Sequence, residues 1–162
     1  MITGNLQLGP NVYIDSTSSI NHITIGMLSK VAKNCSLYGS KTHQLIIGSN
    51  TYIGMNSIIN GYNEKVTIGS YVSIAQNVNI MSDSGPNMSH IIQQKFPLEV
   101  GKVEIGDHCW IGAGVTILPG TKIGNYCVVG ANSVVKGIFE DGSVIAGCLA
   151  KKIRVESYDL PK

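Results

Sequence analysis

Aliphatic residues recur along this chain at a fixed step of six. From Ile105 the step meets Ile111, Ile117, Ile123, Val129 and Val135. Upstream it resumes at Ile68, Ile74 and Ile80, at Ile47, Ile53 and Ile59, at Ile25, Val31 and Leu37, and at Leu8, Ile14 and Ile20. Eighteen anchors therefore fall into six triplets. The residue after the first anchor of each triplet is always glycine: Gly9, Gly26, Gly48, Gly69, Gly106 and Gly124. After the second anchor stand Asp15, Ala32, Gly54, Ala75, Gly112 and Gly130, mostly small, whereas after the third the size limit is gone (Asn21, Tyr38, Asn60, Met81, Leu118, Lys136). The true period is thus 18 residues, three hexads to a coil.

This pattern predicts a short strand in each hexad and a tight bend between hexads. The anchor points inward, and so does the residue four later: Val12, Ser29, Thr51, Val72, Cys109 and Cys127 in the first hexads. Small residues beside the anchor leave room for the bend. Coils stacked about 4.8 Å apart place equivalent positions in aliphatic ladders, and each buried Ile contributes roughly 1.5–3 kcal/mol. One coil cannot close a core alone, so neighbours must stack. A β-sandwich also has strands at short spacing, but it would not hold a six-residue phase through every triplet. The expected fold class is all-β, a single-stranded parallel β-helix of about six coils. Residues 1–150 form the helix domain and residues 151–162 a short C-terminal tail.

The register slips in an ordered way. Coil starts are 17, 22, 21, 37 and 18 residues apart, and every departure from 18 follows a third hexad. All insertions therefore leave the prism along one edge, where a packed fold commonly places its chemistry. The longest covers 82–102 and carries Asp83, Ser84, Gly85, Pro86, Asn87 and His90. His22 and His43 fall on the same edge and read as solvated turn residues, while His108 sits in a regular hexad and points outward. His90 is the candidate catalytic base, because an ordered excursion of this length costs entropy that a plain turn avoids.

Composition narrows the function. Aromatic residues make up 6% and charged residues 14% of the 162 residues, with 19 glycines, which suits a β-rich repeat protein. A formal charge of +2 gives no reason to expect a nucleic-acid partner. No basic start runs into an apolar stretch and no 18-residue apolar span exists, so a cytoplasmic protein without a membrane span is expected. Four cysteines lack the spacing of a zinc site or a disulfide framework. Cys109 and Cys127 should stack in adjacent coils as reduced core thiols, Cys35 should point inward, and Cys148 should lie exposed in the exit turn.

The run Ile105–Gly137 (IGDHCWIGAGVTILPGTKIGNYCVVGANSVVKG) and the exit Ser143–Val155 (SVIAGCLAKKIRV) resemble the hexapeptide-repeat, acetyl-CoA-dependent acyltransferases. Galactoside and maltose acetyltransferases and surface-polysaccharide sugar acetyltransferases belong to this family. The resemblance implies a left-handed coil, an exception to the usual right-handed crossover, and a homotrimer with active sites between subunits. It implies transfer of an acetyl group from acetyl-CoA to a hydroxyl or amine of a sugar-like acceptor, with a His general base, no covalent intermediate and no metal. It maps Trp110, Ala113 and Ala131 to cofactor contacts, the backbones of Ala113 and Ala131 meeting the pantetheine arm, and Lys136 and Arg154 to the CoA phosphates, where cations pair with phosphate oxygens. Lys151 and Lys152 could share that task. Asp83 or a backbone carbonyl would orient the His90 imidazole, which suits proton abstraction when neutral, and a backbone N–H would hold the oxyanion.

Two departures stand out. Many relatives place the catalytic histidine five residues after the anchor preceding the long loop, where this chain has Gly85, and Leu149 replaces a proline in the exit turn. Two other functions compete: a metalloenzyme like the γ-class carbonic anhydrases, drawing three imidazoles onto one ion, and a non-catalytic subunit that only supports a complex.

Overall fold

The computed structural model describes residues 3–158. Met1, Ile2 and Asp159–Lys162, and with them the ends of the expected helix domain and tail, lie outside the described residues. Short strands end at the anchors and pair in parallel from coil to coil. On the first face the column runs Leu8, Ile25, Ile47, Ile68, Ile105, Ile123. The second face stacks Ile14, Val31, Ile53, Ile74, Ile111 and Val129. The third stacks Ile20, Leu37, Ile59, Ile80, Ile117 and Val135. All eighteen anchors are therefore in register, and all but Leu8 and Ile14 are buried.

The stack runs further than the hexad count. Phe139 continues the first column beside Ile123, and Ile145 continues the second beside Val129. Phe139 follows Val135 by four positions rather than six, which hid this partial seventh coil from a six-residue step. Shortening has a second effect at the start. Ile25 follows Ile20 by five positions, and strand Ser19–Ile25 runs round the edge unbroken, fusing the first and third faces into one twelve-stranded sheet. The second face is a separate eight-stranded sheet.

Close stacking explains the glycines. A Cβ on Gly48 would lie 2.6 Å from Ser70 N, and one on Gly54 2.4 Å from Ala75 C, backbone of the next coil in both cases. The inward polar residues tie coils together. Ser29 Oγ donates to Gly48 O at 2.8 Å and Thr51 Oγ1 to Gly69 O at 2.9 Å. The thiols of Cys109 and Cys127 donate to Gly124 O and Glu140 O in the same way, at 3.1 and 3.2 Å. Cys35, Cys109 and Cys127 are buried free thiols and Cys148 is an exposed one. Contact with Cys127, followed by burial, holds the Cys109 thiol well above the usual range.

Residues 150–155 are not a loose tail. They form strand Ala150–Val155, which turns back and pairs antiparallel with Ser143–Gly147. The division expected after residue 150 thus falls inside a strand of the second face. None of the described helices is long and apolar enough to cross a membrane.

Candidate functional site

Insertions do leave the prism along one corner. Gly39 N donates to Asn21 O, Gly61 N to Tyr38 O and Ser82 N to Asn60 O, so three loops spring from successive coils, one above another. In the longest, strand Asp83–Ser84 pairs antiparallel with Glu99–Val100 to make a ribbon. Its tip carries a short helix, α1 (His90–Lys95), which the repeat pattern had not revealed. Ser89 caps it by accepting from Ile92 N, and Gln93 Nε2 donates to Pro86 O at 2.6 Å. Helix and ribbon bury none of α1's residues. Met88, Ile91 and Phe96 are 91%, 77% and 66% exposed, an apolar surface without cover in the single chain.

His90 opens α1 and is exposed, and its ring makes no hydrogen bond among the described residues. Asp83 lies at the base of the ribbon, where its Oδ2 accepts from Asn60 Nδ2 at 3.2 Å. No hydrogen bond joins Asp83 to His90 among the described residues, because ribbon and turn separate them. Gly85 has a structural reason to lack a side chain: its Cβ would come within 2.9 Å of Leu98 Cα. Leu98, just ahead of the returning strand Glu99–Val100, closes over this position.

The residues expected to meet CoA divide between two corners. Trp110 projects outward on the second face, in register with Val128, which registers with Val144, which faces Arg154. Trp110 and Arg154 thus share one outer row. Ala113 and Ala131 stack at the next corner, where Ala113 O accepts from Asn132 N at 2.8 Å, and Ala131 is exposed. Lys136 lies instead on the loop corner and pairs with Glu99 of the returning strand. Arg154 Nε pairs with Glu156 and Lys152 with Glu140. The two corners are one face apart, about six residues of extended chain and so on the order of 15–20 Å.

Sequence reasoning missed a cleft of about 680 Å³ on the loop corner of the N-terminal coils. Asn21, His22, Tyr38, Lys41, His43 and Tyr62 are among its lining residues. Asn5 Nδ2 lies 2.9 Å from His22 Nδ1, and His43 Nε2 lies 3.9 Å from Glu64. Burial, together with the nearby Asp83 carboxylate, raises the Tyr38 phenol above its ordinary value, so it stays a hydroxyl donor at neutral pH. His22 and His43 were read as turn residues. Their shared wall could be found only once the inserted 39–44 loop folded back over the third face. His108 points outward as expected, stacked between Tyr71 and Tyr126 at centroid distances of 4.8 and 5.1 Å. No three His, Cys, Asp or Glu side chains converge as a metal site among the described residues.

Comparison with known proteins places this architecture. Residues 102–137 match the family described as bacterial transferase hexapeptide (six repeats). Galactoside O-acetyltransferase of Escherichia coli (strain K12) is 37% identical over 72% of the chain, which spans only 55% of that relative's length. A dTDP-4-amino-4,6-dideoxy-D-glucose acyltransferase of Escherichia coli is 31% identical over 97% of the chain and 85% of the relative. Among solved structures, the S84C mutant of AntD, an N-acyltransferase from Bacillus cereus in complex with dTDP-4-amino-4,6-dideoxyglucose and coenzyme A, superposes with a TM-score of 0.82. It is 26% identical, over 94% of this chain and 84% of that one. Stacked hexad columns, the single insertion corner and these relatives together assign the chain to the hexapeptide-repeat acyltransferase family.

Proposed function

We propose that this chain transfers an acetyl group from acetyl-CoA to a hydroxyl or amine of a sugar-like acceptor, with His90 as general base. The acceptor oxygen or nitrogen attacks the thioester carbonyl carbon. His90 takes its proton, the carbon–sulfur bond breaks, and the proton passes to the departing CoA sulfur. No bond to the enzyme forms. A backbone N–H at the corner supplies the oxyanion donor. Ala131 leaves the corner backbone open to an extended pantetheine arm, and Trp110 flanks it. Arg154 and Lys136 take phosphate oxygens, each exchanging its present carboxylate partner for the ligand. Acetyl-CoA is a cytoplasmic metabolite, and we place the reaction there.

One observation carries this reading. His90 stands on an uncovered apolar loop (Met88, Ile91, Phe96) one corner away from the stacked Ala113 and Ala131. A neighbouring copy docked against the loop covers the apolar surface and brings the base to the cofactor column. We take this neighbour to belong to the homotrimer that the family resemblance implies, a closed ring of equivalent contacts. Asp83, held by Asn60, then serves the acceptor rather than the His90 ring.

The test is thiol release from acetyl-CoA across a panel of sugars and nucleotide sugars. His90→Ala should lower turnover by roughly 10²–10⁴-fold and leave the melting temperature unchanged, since the residue is exposed. Full turnover by this variant would overturn the assignment of the base. Absence of a thermal shift at millimolar CoA would favour a non-catalytic subunit instead, because a ligand at 100 times its Kd stabilises by about 2.7 kcal/mol.

A further inference from the structure

One half-buried side chain joins the roots of two loops. Asn60 follows the anchor Ile59 and stands in the column Asn21, Tyr38, Asn60, Met81. Its Oδ1 accepts from Tyr62 N at 2.9 Å, which holds the 61–64 turn, and its Nδ2 donates to Asp83 Oδ2 at 3.2 Å. The backbone repeats the link. Asn60 O accepts from Ser82 N, and the hydroxyl of the buried Ser82 accepts from Glu64 N. No Lys, Arg or His side chain pairs with Asp83 among the described residues, so a neutral amide orients this carboxylate. Tyr38, in the same column, senses it: burial and then the Asp83 charge raise its phenol.

We propose that Asn60 is a positioning residue for acyl transfer, which aims Asp83 at the acceptor and ties the root of the 82–102 loop to the 61–64 turn. The proposal rests on the acyl-transfer reading above, in which Asp83 serves the acceptor. The turn alone does not require an amide, since Asp and Ser also accept from the backbone two residues on. Among small side chains only Asn adds an NH2 donor on the opposite arm. Because that donor is uncharged, it orients Asp83 without neutralising it and leaves Oδ1 to accept from the reacting hydroxyl or amine. Strand Asp83–Ser84 also begins the ribbon that carries α1, so a displaced Asp83 moves the support of His90 as well.

The experiment compares the native chain with Asn60→Asp and Asn60→Ser, using the most active sugar of the panel above as acceptor. Both variants keep an oxygen for Tyr62 N, so the melting temperature should stay near the native value. Each should lower kcat/KM for the acceptor about ten-fold or more and leave KM for acetyl-CoA unchanged. Asn60→Asp has a further signature. Two carboxyls in contact share one proton in mild acid and repel when both are ionised, so its rate relative to the native chain should climb as pH falls from about 8 to 5.5. Asn60→Ser brings no second carboxyl, and its ratio should stay level. Backbone amides of residues 83–100 should exchange hydrogen faster in both variants. Native turnover in both, a loss that only follows a lowered melting temperature, or a level ratio for Asn60→Asp would overturn the proposal. Absence of turnover by the native chain with every acceptor would instead overturn the acyl-transfer reading. The tie between the loops is then decided by exchange: unchanged protection of 83–100 overturns it and faster exchange upholds it.

Discussion

Two corners of the prism solve the same geometric problem differently. Behind the second face the chain turns within six residues in every coil. Asn34, Asn56, Asn77 and Asn132 take the left-handed conformation there, with Gly114 in the same role. Their amides form a ladder: Asn34 Nδ2 donates to Asn56 Oδ1, and Asn56 Nδ2 to Asn77 Oδ1. Asparagine tolerates positive φ better than most side chains. Behind the third face there is no such column. That corner takes up every change in length, from strand Ser19–Ile25 with no turn at all to the ribbon and helix of 82–102. Repetition thus fixes one corner, and release from repetition leaves the other free to carry chemistry. The proposed site residues follow the split, with His90 and Asp83 on the free corner and the backbone of Ala113 and Ala131 on the fixed one.

Substitutions can break this contrast. The largest effect is expected beside the fixed corner, at Gly54. A Cβ there meets the backbone of Ala75 at 2.4 Å, so Gly54→Ala should cost about 3 kcal/mol or more, read by urea denaturation. A smaller loss belongs to Asn56, exposed yet left-handed at φ 59°. Asn56→Ala should cost about 1–2 kcal/mol, and Asn56→Gly should recover most of it because glycine carries no penalty at positive φ. An equal cost for both would show that the amide ladder, not φ, is what matters. On the free corner, four Gly-Ser residues inserted between Lys41 and Thr42 should cost only about 0.6 kcal/mol, measured the same way. A loss as large as that of Gly54→Ala would erase the distinction between corners.

The smallest effect is electrostatic. Hydrogen bonding to Lys102, then the charges of Lys102 and Lys122, hold the Glu104 carboxyl below its ordinary 4.5. A depressed folded-state value means stability that is complete above the unfolded value and lost as pH falls through the lower one. Melting temperatures between pH 6 and 3 should therefore fall slightly less for Glu104→Gln than for the native chain.

The legibility of the sequence follows the same division. Period-six anchors located every strand of six coils, because the stack forces equivalent residues into one column. The final Phe139 and Ile145 escaped, since one hexad shrinks to four residues there. Residues on the free corner obey no period. Nothing in their spacing announced that Lys136 would pair with Glu99, 37 positions away, or that His22 and Lys41 would share a wall. Gly85 could be noticed as a departure, yet its cause, the approach of Leu98, needs the folded ribbon. A fixed column can be derived from any one of its coils, whereas a loop has to be seen folded.

Parallel coils of one shape provide no natural last member, because each offers the next a ready hydrogen-bonding row. Beyond the last parallel coil the reversal of Ala150–Val155 against Ser143–Gly147 replaces that parallel row with an antiparallel one on the second face. Lys151 and Arg154 stand opposite Ala146 and Val144, while Lys152 stands opposite the inward Ile145 and pairs with Glu140. The fold-back therefore offers any copy stacking end to end on the second face an antiparallel edge, unlike the parallel rows beneath it.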